Sequence, residues 1–264
     1  MNASQRNNIH RLLLEDPTWS AYALADLQPQ FDAHCQWHLI DEEERQGVML
    51  LFDALDPTIL FMSGSVEAMQ STMAQADLPS SVFVSMCEEH ESLFDQYYTL
   101  GERRCQMWRM FLPKERLFEL PKKQGLRHLS IDDGEALRRL YGEGGPFAPD
   151  SFDPYQIENG VFFGFFDDEQ SLVAAGGTHI VDWQGIGLQG GVAGIGNMYT
   201  HPNHRGRGYA GLILQAVVAT LQAKNVTNIV LNVNQQNRTA RKIYERYGFE
   251  IHCPFIEGIG LKNN

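Results

Sequence analysis

Arg205-Gly206-Arg207-Gly208-Tyr209-Ala210 is the stretch that decides the fold. It lies between a strand-like segment and a strongly helical one. Glycine lets a backbone turn tightly and brings its N–H groups close to a ligand. A helix that starts near Tyr209 leaves its first N–H groups without partners and carries a partial positive charge at that end. Such a turn suits a phosphate group, and Arg205 and Arg207 add charge to it. The competing reading is a plain Gly-Arg surface loop, so the flanking sequence has to arbitrate.

Before the turn, residues 192–200 read as a strand interrupted by glycines, a pattern of bulges or of close backbone approach. Pro202 then ends the ladder. After the turn, Ile213, Ala216, Val217, Thr220 and Leu221 recur at helical spacing and predict a core-facing stripe, with Lys224-Asn225 as the stop. Asn228 to Asn234 alternates as a strand, with Ile229, Leu231 and Val233 on its dry face. A second helix is expected over Arg238–Tyr247 and ends at Gly248.

This order of strand, turn, helix, strand, helix and Gly-Phe resembles the GNAT superfamily of acyl-CoA-dependent N-acetyltransferases. That family's turn reads Arg or Gln, two residues, Gly, one residue, Gly or Ala. Arg205, Gly208 and Ala210 match it. Its later signature, Asn, two residues, Ala, three residues, Tyr, then Gly-Phe, is met by Asn237, Ala240, Tyr244, Gly248 and Phe249. Tyr199-Thr200-His201-Pro202 is similar to the glycine-N-acyltransferase-like branch. The resemblance covers about residues 124–264. It implies a mixed α/β (α+β) fold: a twisted, mostly antiparallel sheet flanked by helices.

The resemblance also implies a chemistry. Acetyl-CoA, or another acyl-CoA, is the expected co-substrate, and its acyl group is expected to pass directly to a primary amine in a ternary complex. The backbone of Gly206, Arg207, Gly208, Tyr209 and Ala210, with Arg205, is expected to hold the pyrophosphate. Met198, Tyr199 and Thr200 are expected to align the pantetheine arm along the strand edge. Tyr244 matches the family's general acid, and the bland alternative is a packed helix aromatic. Asn237 either orients the cofactor or caps the last helix. No base can be named from the residues. Asn197 stands where some relatives carry Glu, and the candidates are a water chain or a carboxylate or His from elsewhere, such as His252 or Glu257. The alternative function is a catalytically silent acyl-CoA-binding sensor or scaffold.

Composition narrows the class. Forty-three per cent of the 264 residues are hydrophobic and 20% charged, as in globular proteins. No apolar run is long enough to span a bilayer and no signal-like segment opens the sequence, so no membrane partner is expected and the cytoplasm is the expected compartment. Cys35, Cys87, Cys105 and Cys253 are scattered without CxxC spacing, and His201 with His204 lacks a third ligand, so no metal is expected. An acyl-cysteine route through Cys253 is disfavoured for want of a paired base.

Charge is uneven. Residues 1–120 hold 19 acidic and 8 basic residues, whereas residues 200–246 hold seven Lys and Arg against Glu245 alone. A positive zone in an acidic chain suits a polyanion such as coenzyme A. A chain of pI about 5.1 is a poor general binder of nucleic acid, and no nucleic-acid partner is expected. The acceptor is a small-molecule or peptide amine. The acidic first half either draws in a cationic one, a polyamine or a lysine side chain, or only keeps the chain soluble. Trp183, Phe147, Phe152 and Tyr155 are candidate lining for its pocket. The oligomeric state stays open.

Pro121-Lys122-Lys123-Gln124-Gly125 is the expected linker, dividing an N-terminal α/β domain at 1–120 from a domain at 124–264. The first half repeats the strand and helix grammar without the Arg-Gly turn. It is either a degenerate GNAT-like half or an unrelated α/β cap. A helix is expected there over Glu91–Tyr98, and a long functional loop over Gly142–Tyr155.

Overall fold

The computed structural model describes residues 1–149, 152–185 and 190–263. Residues 150 and 151 of the expected Gly142–Tyr155 loop, and Asn264, lie outside the described residues. In chain order the elements are α1 Ala3–Leu13, α2 Ala21–Asp26, β1 Cys35–Glu42, β2 Arg45–Phe52, β3 Thr58–Gly64, α3 Val66–Gln75, β4 Ser81–Cys87, α4 Glu91–Phe94, β5 Tyr98–Leu100 and β6 Cys105–Phe111. They continue as β7 Leu126–His128, α5 Gly134–Gly142, α6 Pro154–Asn159, β8 Phe162–Phe166, β9 Leu172–Asp182, β10 Gly191–Thr200, α7 Tyr209–Ala223, β11 Val226–Asn234, α8 Arg238–Arg246 and β12 Glu250–Lys262. No helix of the described residues is long and apolar enough to cross a membrane.

The chain divides into two compact units that interleave in sequence. One holds residues 1–109, 234–236 and 251–264; the other holds 110–233 and 237–250. The final strand therefore belongs with the first unit, whereas composition alone marks only the stretch at 121–125.

In the first unit the strand order is β1-β2-β3-β4-β12, with β5 also on β12. Pairing is antiparallel except between β3 and β4. Met69 and Met73 of α3 pack into a core with Met49, Leu60, Val84 and Phe94. The expected helix over Glu91–Tyr98 is cut short at Phe94. Tyr98 instead opens β5, stacks on Phe94 at 5.1 Å between centroids and donates its hydroxyl to the Pro79 carbonyl at 2.8 Å. Tertiary burial of the phenol ring overrides the local helical spacing.

The second unit runs β11-β10-β9-β8-β7, antiparallel except between β10 and β11. Leu137, Leu140 and Tyr141 of α5 pack with Phe162, Ala175 and Tyr199. Helix α7 is buried almost all round, because Leu214, Val218 and Ala219 are covered as well as the expected stripe; Thr220 is only half-buried and bonds back to the Ala216 carbonyl. Val230, expected on the polar face of its strand, is fully buried, as fits a strand covered on both faces. Asn225, at φ +62°, ends α7 and turns the chain into β11.

Both units repeat one path: three antiparallel strands, a helix, then a strand parallel to the third. It is β1-β2-β3-α3-β4 in the first and β8-β9-β10-α7-β11 in the second. The units differ at the helix start. Ser65 caps α3 by accepting the Ala68 N–H at 3.2 Å, while α7 begins at Gly208 with no side-chain cap.

Asp133 ties the start of α5 to β7. It accepts both Arg127 guanidinium nitrogens, at 2.6 and 2.9 Å, and the Ser130 N–H at 2.9 Å. Chiefly through the Arg127 hydrogen bonds, its carboxyl is held below the usual carboxylate range. A depressed pKa in the folded state gives stability that is present above the unfolded value and lost as pH falls through the folded one. Arg127 is half exposed, so the gain is small, about 0.5–1 kcal/mol. Asp133→Asn is expected to lower the urea midpoint at pH 7, the difference from wild type shrinking as pH falls below the usual carboxylate range. A difference independent of pH would contradict this account.

Candidate active site

Strand β10 leads into the Arg-Gly turn through a 3-10 turn at Pro202–His204. Arg205 folds back, donating its Nε–H to the Thr200 carbonyl at 3.1 Å, with its guanidinium 5.8 Å from the Tyr199 ring centroid. Gly206 and Gly208 sit at φ +76° and +83°, the left-handed region that glycine enters without cost. Apart from its chain neighbours, no atom of the described residues lies within 4 Å of where a Cβ on either would stand. The space over the turn is open. The first amide N–H groups of α7 have no intrahelical acceptors and border that space.

The strand edge nearby is also open. β10 pairs with β11 only from Gly191 to Ile195, the last partners being Ile195 and Leu231. Beyond Ile195 the register with β9 breaks between Gly196 and Tyr199, and Asn197 takes φ +54°. This is a β-bulge, which bends its strand and ends regular pairing. Asn197 is held from three sides. Its carbonyl accepts the Tyr141 hydroxyl at 2.9 Å, its Nδ2 donates to Gln156 Oε1 at 2.9 Å, and its Oδ1 lies 3.0 Å from His179 Nε2. Tyr199 donates its hydroxyl to the Gly144 carbonyl at 2.7 Å.

Helix α8 supplies the remaining wall. Asn237 caps it, accepting the Ala240 N–H at 3.1 Å. Tyr244 is buried one face further on, beside Phe249 at 6.2 Å. Burial pushes its phenol up to about 12, so it stays protonated at neutral pH. Gly211 of α7 lets the two helices approach: a Cβ there would stand 2.5 Å from the Tyr247 hydroxyl.

These elements enclose a cavity of about 620 Å³. Met198, Tyr199, Thr200, Arg205, Gly206, Gly208, Tyr209, Ala210, Asn237 and Tyr244 all line it. Arg207 does not; its guanidinium turns toward the Asn203 carbonyl at 3.5 Å. Of the four candidate acceptor aromatics only Phe147 lines the cavity. Phe152 packs on Tyr141, and Trp183 donates to the Asn159 carbonyl. The two candidate bases belong to the first unit. There His252 pairs with Asp16 at 2.7 Å, and Glu257 accepts from Ser85 at 3.4 Å. His179 and Gln156 carry no local sequence signal, because only the bulge brings them together.

Residues 122–249 match the model of the acetyltransferase (GNAT) family. A stretch of 53 residues is 36% identical to a [ribosomal protein bS18]-alanine N-acetyltransferase of Haemophilus ducreyi, covering 20% of this chain and 37% of that enzyme. The chain thus spans little more than a third of that relative's length. Among solved structures, a Drosophila protein is similar in fold with a TM-score of 0.75 at 12% identity, over 99% of this chain and 97% of its own. A tandem GNAT protein from the clavulanic acid biosynthesis pathway is similar with a TM-score of 0.55 at 10% identity, over 98% of this chain and 93% of its own. The fold, two units of one topology, is the one shared with these proteins. Residues 122–249 form a domain of the acetyltransferase (GNAT) family.

Proposed function

We propose that the chain is an acyl-CoA-dependent N-acetyltransferase that passes an acetyl, or another acyl group, directly to a primary amine. The observation that carries this reading is the convergence of three features on one cavity. These are an uncapped helix start behind a Gly-Arg turn, an unpaired strand edge and a buried phenol.

Each feature answers one chemical need. The amides of Gly206 to Ala210 and the start of α7 hold the diphosphate of coenzyme A, with Arg205 adding positive charge. Along Met198 to Thr200 the edge of β10 that no longer pairs with β11 offers a place for an extended amide chain, which docks as an added strand would. Holding thioester and amine together removes much of the entropic barrier of a bimolecular reaction. Tyr244 gives its proton to the departing thiolate. Burial raises Tyr244, but the same low-dielectric surroundings penalise a thiolate, so the two pKa values rise together and transfer stays feasible.

The acceptor is a primary amine of a small molecule or a peptide. The relative from Haemophilus ducreyi is named for an alanine of a ribosomal protein. That makes a peptide N-terminus the first amine to try, ahead of a polyamine or a lysine side chain.

Titration calorimetry with coenzyme A tests the binding half. Wild type is expected to bind saturably, and Gly208→Asp, which sets a carboxylate against the diphosphate, to bind about 100-fold more weakly, roughly 2.7 kcal/mol. No interaction with wild type at millimolar coenzyme A would sink the reading. Release of free thiol from acetyl-CoA, with an alanine-ended peptide, spermidine and lysine as acceptors, tests the chemical half. Tyr244→Phe is expected to lower kcat about 100-fold while leaving coenzyme A affinity within about threefold. An unchanged kcat would remove Tyr244 from the mechanism.

A further inference from the structure

An acceptor ammonium must lose a proton before its nitrogen can attack a thioester, and among the described residues no carboxylate lines the cavity. The hydrogen bonds around the β10 bulge point to the group that takes this proton.

The chain of partners starts from a backbone donor, so its direction is set. The Asp153 N–H donates to Gln156 Oε1 at 3.4 Å, within the cap of α6. Gln156 Oε1 is thus an acceptor, and the Asn197 group facing it must be the Nδ2 amide, at 2.9 Å. That orients Asn197 with Oδ1 toward His179 Nε2 at 3.0 Å. An amide oxygen only accepts, so Nε2 carries the imidazole proton. Nδ1 then holds a free lone pair, and among the described residues it has no hydrogen-bond partner.

The ring is built into its place. A Cβ on Gly196 would overlap the imidazole, so the residue before the bulge is glycine to admit the His179 side chain. His179 is nonetheless exposed to solvent. Surrounding protein lowers its pKa, which keeps the ring neutral at pH 7.

Its position fits the reacting end of the co-substrate. A diphosphate on residues 206–210 and an arm along Thr200 to Met198 run toward Asn197, with each residue of strand covering about 3.3 Å. The edge closes where β10 rejoins β11 at Ile195, so the arm ends near Asn197, whose Oδ1 bonds His179.

We propose that His179 Nδ1 is the base that deprotonates the acceptor amine. The proposal rests on the acetyltransferase reading above. The acceptor R–NH₃⁺ gives one proton to Nδ1, leaving R–NH₂ and an imidazolium. The amine nitrogen attacks the thioester carbonyl, forming the C–N bond. Collapse breaks the C–S bond, and the thiolate takes the Tyr244 proton. The nitrogen then loses its second proton to the tyrosinate, and the imidazolium returns its proton to water. Asn197 and Gln156 are positioning residues that hold the tautomer.

Kinetics of two variants and an NMR readout test the proposal. His179→Gln keeps a side chain that can bond Asn197 but removes the base. With acetyl-CoA and the three acceptors named above, it is expected to lose about 100-fold or more in kcat while binding coenzyme A as wild type does. Free imidazole is expected to restore part of the activity of His179→Gly. Nitrogen-15 NMR of wild type reads the tautomer directly and without turnover, the His179 signal being assigned by its loss in His179→Gln. A neutral ring protonated at Nε2 is expected at pH 7. A His179→Gln enzyme as fast as wild type, or a ring protonated at Nδ1 at pH 7, overturns the proposal. Wild type that binds coenzyme A yet releases no thiol with any acceptor overturns it too. Failure to bind coenzyme A at all defeats the acetyltransferase reading, a result the calorimetry reports separately.

Discussion

The parting of β10 from β11 after Ile195 is the constraint on which the rest depends. Two parallel strands that stay paired would use the backbone groups of Met198, Tyr199 and Thr200 on each other. Parting leaves that edge without β11, although the Thr200 carbonyl accepts Arg205 Nε, and a buried backbone group without a partner costs about 1–3 kcal/mol. Such an edge is tolerable only where water or a ligand reaches it, and the cavity against it supplies that access. The bulge at Asn197 drives the separation. Asparagine is among the few residues that enter the left-handed region readily, and here Tyr141, Gln156 and His179 each hold it there. Hydrogen bonds and unusual backbone are thus placed at one residue, and the free edge begins immediately after it.

The first unit shows what the same topology looks like when these openings are filled. Its β3 pairs with β4 only from Thr58 to Phe61. Two carbonyls that follow are occupied: Met62 accepts the Trp19 indole N–H at 3.0 Å, and Gly64 bonds His90 Nε2 at 3.0 Å. Ser65 occupies the helix start that Gly208 leaves uncapped in the second unit. Groups placed where a diphosphate or an extended amide chain would sit already have internal partners. In the first unit the same strand order goes with occupied edge carbonyls and a capped helix start.

How far the sequence is readable follows from how local each feature is. The turn at Arg205–Ala210 can be read because glycine at positive φ before a helix is chemistry within six residues. The Asn237 cap and the Gly248 stop of α8 are equally local. The strands of the second unit are visible as alternation or apolar runs. What cannot be read is long-range. β12 carries Pro254 and two glycines, and it is a strand because β4 pairs along seven of its residues. Tyr98 lies at helical spacing from Phe94 yet belongs to β5, because its ring is needed in a core assembled from α3, β2 and β4. His179 and Gln156 are 23 residues apart in sequence and meet only through the bulge. The Arg207 guanidinium, read from sequence as adding charge at the turn, reaches the Asn203 carbonyl, because charge pattern does not decide side-chain direction.

The arrangement of the second unit also explains why Asn197 is not a carboxylate. A Glu or Asp at the bulge would place a charge where Gln156 Oε1, already accepting the Asp153 N–H, offers only lone pairs. Repulsion between two acceptors would push the side chain off Gln156 and toward His179. That would raise the imidazole pKa and fill its Nε2 with a charge-assisted bond, so the ring would be protonated near neutral pH and useless as a base. A neutral amide does the opposite. It donates to Gln156 and accepts from His179, carrying the direction set at the α6 cap through two side chains to the imidazole. The orientation of the imidazole and the unpaired strand edge are therefore consequences of one residue in one backbone conformation.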